Sequence, residues 1–102
     1  MEKLLVFYGE PEDPVAFENY YRSTHLPLVR ELPGLVSAQF SLGIQGMGDE
    51  APYWGLFEAV CESKEAMKAA LESAQGVAIG ADVANYATGG ATLAHGPVNI
   101  LN

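Results

Sequence analysis

Two runs of the chain, Leu4 to Tyr8 and Tyr53 to Cys61, are rich in strand formers and apolar on both faces. Leu4-Leu5-Val6-Phe7-Tyr8 has no polar position at all. In the second run Trp54, Leu56 and Val60 fall on one face, and Tyr53, Phe57, Ala59 and Cys61 fall on the other. Strands of this kind sit inside a sheet that is covered on both sides, because neither face can be left to water. That requirement limits the folds open to a chain with only two helical regions.

The segments between these runs supply the rest of the sheet and its cover. Gly9 to Asp13 has the punctuation of a loop, and Asp13-Pro14 is an N-cap followed by a proline at the first helical position. A helix is predicted from there. Pro27 cannot donate to the carbonyl of Ser23, so a kink or restart is expected, with a second short segment from Leu28 to Leu32. Pro33-Gly34 is a stop. From Leu35 to Ile44 the positions Val36, Ala38, Phe40, Leu42 and Ile44 alternate with Ser37, Gln39, Ser41 and Gly43, the pattern of a half-buried strand. A loop follows through Pro52. Ser63 caps another helix whose buried face is read as Met67, Ala70, Leu71 and Ala74. A break is placed at Gln75-Gly76. A further helical stretch, Val77 to Ala87, has small residues, Gly80 among them, that suggest backbone packed closely on backbone. Thr88-Gly89-Gly90 leads to a last strand, Ala91 to Leu101. Pro97 makes it an edge strand or one that bends.

The order is β-α-β-β-α-β, and residues 1–102 are read as a single domain. With right-handed crossovers the order gives an α+β, ferredoxin-like fold: a four-stranded antiparallel sheet with both helices on one face. The other face then needs a second cover. Packing two such faces together in a symmetric homodimer provides it, giving a sheet-on-sheet dimeric α/β barrel.

Charge and cysteine content narrow the function. Thirteen acidic residues against five basic ones leave a formal charge of −8. Nucleic acid and anionic membranes both require basic surface, so neither is an expected partner. One cysteine, Cys61, excludes an internal disulfide and a cysteine-based metal cluster. The residues from Met1 to Val6 do not resemble a signal peptide, and no apolar run approaches the roughly 20 residues of a membrane span. A cytoplasmic location is expected.

The chemistry, if any, concentrates in the first helix. Phe17, Tyr20, Tyr21, Thr24, His25 and Leu28 share helical spacing and form one face. His25 thus lies on the inward stripe beside the Leu26-Pro27 step. An imidazole there acts either as a general acid or base, or as a core histidine satisfied by backbone groups freed at Pro27. His25 and His95 lack a flanking carboxylate and metal-ligand spacing, so neither a metal nor a cofactor is expected. Gly89-Gly90 precedes a strand rather than a helix and is no phosphate loop. Arg22 is read as an ion pair with Glu18.

Phe17-x-x-Tyr20-Tyr21-x-x-x-His25-x-Pro27-Leu28-Val29, closing in Leu32-Pro33-Gly34-Leu35, resembles the first-helix signature of EthD-like proteins. These are named for ethyl tert-butyl ether degradation and belong to the dimeric α/β-barrel superfamily. The segment from Glu72 to Gly90 resembles the C-terminal half of the same family. The resemblance implies a pocket between helices and sheet in each protomer. It also implies relatives that act as isomerases, monooxygenases and cyclases on small cyclic or aromatic molecules. A histidine on this helix serves in the active site of a related methylmuconolactone isomerase, and its position matches His25. Family members often carry a tyrosine early in the second strand, where this chain has Val36, Ser37, Ala38 and Gln39.

The expected function is therefore binding of a small hydrophobic, cyclic or aromatic metabolite. His25 is a candidate proton shuttle in a cofactor-independent isomerase- or lyase-type reaction. Tyr20, Tyr21, Trp54, Phe40 and Asp82 are candidate substrate-binding residues. A non-catalytic accessory or carrier protein in an oxygenase-linked catabolic pathway is the alternative, and a cofactor-free monooxygenase is a further one.

Overall fold

The structure is a computed structural model that describes residues 1–101. Its sheet has the order β2-β3-β1-β4, and every neighbouring pair is antiparallel. The strands are β1 (Glu2–Tyr8), β2 (Leu35–Leu42), β3 (Gly55–Cys61) and β4 (Ala91–Pro97). The two runs that are apolar on both faces are the two central strands, as their composition requires. β4 lies on an edge and ends at Pro97, short of the expected Leu101.

The first helical rod has three parts: α1 (Pro14–Tyr20), a π turn (Tyr21–His25) and α2 (Leu26–Arg30). Asp13 accepts from the Ala16 amide at 3.1 Å and caps the start. Pro27 does not break the rod. The wider π turn, closed by the Leu26 amide on the Tyr21 carbonyl, takes up the disturbance one turn earlier.

The π turn also decides which residues face inward. Four residues of α-helix overshoot a full turn by about 40°, so an i+4 stripe drifts around the helix. A π turn advances less per residue and takes back that drift. Phe17, Tyr21, His25 and Val29 consequently stay in line, and all four are buried. Thr24, expected on the stripe, is exposed, and Val29 rather than Leu28 continues it.

The second helical region has a corner. Ser63 caps α3 (Lys64–Glu72) through the Ala66 amide at 3.0 Å. Ser73 both ends α3 and starts α4 (Ala74–Asp82): its hydroxyl donates to the Ala70 carbonyl at 2.6 Å and accepts from the Gly76 amide at 3.1 Å. The break thus falls at Ser73, not at Gln75-Gly76. Gly76 is needed for proximity, since a Cβ there would lie 2.2 Å from the Ala70 carbonyl oxygen. Met67 and Ala70 are buried, whereas Leu71 and Ala74 are exposed. A short turn of 3-10 helix, Val83–Asn85, follows α4. Gly80 packs closely on nothing, contrary to the expectation from its small neighbours.

Two sheet details also depart from simple alternation. A bulge between Leu35 and Ser37 throws Val36 out of register, and it is 48% exposed. Regular pairing in β3 starts at Gly55, so Tyr53 and Trp54 exchange the faces that alternation gives them. Trp54 packs edge-on against Phe17 at 4.8 Å, while Tyr53 meets Phe7 on the far side at 4.8 Å.

The core lies between the rod and the sheet. Val6 and Tyr8 of β1 and Phe57 and Ala59 of β3 pack with Phe17, Tyr21, Val29 and Tyr86. The opposite face carries Leu5, Phe7, Leu56 and Val60, all half-buried, beside the Lys3–Glu58 ion pair at 3.5 Å.

Candidate active site

His25 ends the π turn and points into the core, 3% exposed. Its ring stacks on Tyr21 at 5.3 Å and 18°, and the Tyr86 ring lies 4.6 Å away. Across from it stands the last residue of α4, Asp82, 57 positions away in sequence. His25 Nδ1 and Asp82 Oδ2 are 2.9 Å apart.

Asp82 is placed where a carboxylate is hard to hold. It is buried, and it sits at a helix C-terminus, whose dipole disfavours negative charge. Three donors offset this. The Tyr20 hydroxyl donates to Oδ1 at 2.6 Å and Asn85 Nδ2 donates to the same oxygen at 3.0 Å, while His25 serves Oδ2. Burial pushes the Asp82 pKa up, but these hydrogen bonds prevail and hold it below the usual carboxylate range. For His25, burial is the largest influence and lowers the pKa, with Asp82 pulling back only in part. Tyr20 is shifted up, chiefly because its proton is committed to Asp82.

These directions fix the tautomer. An ionised carboxylate only accepts, so the proton between Asp82 and a neutral imidazole is on Nδ1. Nε2 is left with a free lone pair. It has no hydrogen-bond partner among the described residues. Yet no fully buried side-chain nitrogen or oxygen among them lacks a partner. Nε2 is therefore reachable, and what it reaches is a cavity.

That cavity has a volume of about 70 Å³ and lies between sheet, rod and α4. Leu4, Val6, Phe57 and Ala59 form its floor; Val29 and Leu32 form one wall, Ile79 and Val83 another. His25 and Tyr8 are its titratable lining residues. The Tyr8 hydroxyl is already engaged, 2.8 Å from that of Tyr86 and 3.3 Å from that of Tyr21. Burial raises the pKa of all three phenols, so they stay protonated, and His25 is the lining group able to accept a proton near neutrality. Larger hollows exist at the sheet end near Gly9 and Pro52, but they are open and lack a comparable titrating pair.

The candidate residues from the sequence divide accordingly. His25 lines the cavity; Asp82 and Tyr20 stand behind it as its hydrogen-bond chain. Tyr21 backs the imidazole, Phe40 packs edge-on against Tyr21 at 5.5 Å, and Trp54 supports Phe17. Tyr20, Tyr21, Phe40 and Trp54 thus shape the surroundings of His25 without being part of the cavity wall. Asn85, Tyr8 and Tyr86 went unnoticed in the sequence. Asn85 follows Asp82 by three residues, which is the one local signal that pairs them. Arg22 pairs with Glu18 at 2.8 Å on the surface. His95 lies apart on β4, 2.6 Å from Glu2. Among the described residues no group of three or more His, Cys, Asp or Glu side chains is arranged to hold a metal ion. Cys61 is buried, which raises its thiol pKa and keeps it unreactive.

Comparison with known proteins adds four findings. The EthD domain profile matches residues 9–90. An uncharacterised 11.0 kDa protein from the thcB–thcC intergenic region of Rhodococcus erythropolis is 36% identical over 95 residues, covering 91% of this chain and 90% of the relative. The crystal structure of an ethyl tert-butyl ether degradation (EthD) family protein from Bacillus halodurans C-125 superposes with a TM-score of 0.90 at 30% identity. That match covers 97% of this chain and 99% of the other. Likeness in fold alone extends to a hydroxynitrile lyase from Passiflora edulis, with a TM-score of 0.77 at 9% identity, covering 99% and 95% of the two chains.

Proposed function

Since the chain belongs to the EthD family, we propose that it binds a small hydrophobic metabolite, cyclic or aromatic, and moves a proton on it with His25. Nε2 takes a proton from an acidic C–H or O–H of the substrate, and the imidazolium so formed returns it at a second position. Asp82 holds the ring in the Nδ1–H tautomer and stabilises the cation during that interval. Tyr20 and Asn85 hold Asp82. The overall reaction is of the isomerase or lyase type, and no oxidant is needed for the proton transfer itself. A hydroxynitrile lyase is built on the same fold.

The observation that carries the proposal is the Asp82–His25 pair at 2.9 Å with its second nitrogen turned to an apolar cavity. Incubation with a panel of small uncharged cyclic compounds in D₂O tests it without knowledge of the full reaction. Deuterium should enter at acidic positions of a compound that binds. His25→Asn, which retains a donor toward Asp82, should abolish the exchange and leave binding intact. Binding without His25-dependent exchange in any compound would favour the alternative, a carrier or accessory protein of an oxygenase-linked pathway, to which an apolar cavity is equally suited.

The working unit is proposed to be a homodimer in the cytoplasm. The half-buried Leu5, Phe7, Leu56 and Val60 on the helix-free face are the surface through which two sheets would pack. No helix among the described residues is long and apolar enough to cross a membrane.

A further inference from the structure

Gly80 lies in the interior of α4, where glycine is a poorer helix former than alanine. Two reasons commonly require glycine, and neither holds here. Its φ is not positive, and a Cβ built on it would meet nothing within 4 Å. Gly76, four residues earlier, has the opposite character and admits no side chain at all. Gly80 does line the cavity of His25, together with two other exposed residues, Leu71 of α3 and Leu93 of β4. Deeper lining residues such as Val6, Phe57 and Ala59 are buried. The three exposed residues therefore mark the mouth.

Size and charge define what passes. A cavity of 70 Å³ is smaller than the dry cavity of about 150 Å³ that lodges benzene. A ring held at His25 would have to extend into the mouth beside Gly80. The lining includes no Arg or Lys, and the chain carries a formal charge of −8. A carboxylate would be desolvated there with no Arg or Lys to pair with.

We propose that Gly80 is the size-selecting residue of this mouth, its missing side chain admitting uncharged ring-sized ligands and the apolar rim rejecting anions of the same size. This rests on the reading of the cavity as the substrate site of His25, and it adds the residue and the charge class that govern entry.

Phenol, uncharged at neutral pH, and benzoate, an anion with the same ring, are the probes. In the native chain phenol should shift the His25 side-chain resonances, and benzoate should bind at least about tenfold more weakly. Gly80→Leu should weaken phenol by at least about tenfold without lowering Tm, because a Cβ there meets nothing within 4 Å and the helix gains a better former. Gly80→Ala, adding only a methyl group, should raise Tm and give a smaller loss of affinity. Unchanged phenol affinity in Gly80→Leu, benzoate as tight as phenol, or no response of the native chain to millimolar phenol would each overturn the proposal. If phenol binds and Gly80→Leu blocks it while no His25-dependent deuterium exchange is found, the mouth stands and the proton shuttle falls. If exchange persists and Gly80→Leu changes nothing, the shuttle stands and the mouth falls.

Discussion

His25 works, on this account, because two opposing influences are unequal. Burial disfavours the imidazolium and Asp82 favours it; burial is the larger, so the ring is neutral and basic near pH 7. The sign of the pH dependence follows. Between the lowered folded pKa and the ordinary 6.5 the unfolded chain binds a proton that the folded chain does not. Stability should therefore decline as pH drops below 6.5. A second loss should come below 3.8, the ordinary Asp value, because Asp82 is held down as well. Urea midpoints measured from pH 8 to pH 3 check both stages; Asp82→Asn should remove the lower one. That variant should also cost on the order of 10²–10⁴ in turnover, since an amide nitrogen facing Nδ1 reverses the tautomer. Tyr20→Phe acts in the other direction. With one donor lost, the carboxylate pulls harder on the imidazolium, so the acid limb of the pH–rate profile should move to higher pH while the plateau rate changes little. A fall in plateau rate with an unmoved limb would make Tyr20 merely structural.

At the scale of elements, local signals were legible and long-range ones were not. The caps at Asp13 and Ser63, the central strands and the inward position of His25 depend on neighbours a few residues away, and the sequence displays them. The π turn, the Val36 bulge and the exchange of faces by Tyr53 and Trp54 each shift a periodicity by a fraction of a turn or one residue. Pattern reading assumes a fixed period and misses such shifts. The helix corner was misplaced because Gln75-Gly76 looks like a breaker, although Gly76 is helical and Ser73 makes the turn. The corner yields a contrast between two glycines of one helix. Gly76→Ala forces a Cβ to within 2.2 Å of a carbonyl oxygen and should cost on the order of 1–3 kcal/mol. Thermal melts beside Gly80→Ala should move in opposite directions.

At the scale of the whole molecule, the pairing of His25 with Asp82 belongs to the tertiary fold. It joins α4 to the first rod across 57 positions, and no local pattern encodes it. The oligomer is likewise a property of the whole. A dimer joined through the outer sheet face should have twice the chain mass of 10.9 kDa by light scattering. A charge at its centre, Leu56→Lys, should give the monomer. The measurement that reaches the central claim most directly is ¹⁵N NMR titration of the imidazoles in the full chain, with His95→Asn to isolate His25. His25 should be neutral, with its proton on Nδ1 and a pKa below 6.5, and Nε2 should have the chemical shift of a bare nitrogen. A proton on Nε2, or a pKa at or above 6.5, would contradict that claim.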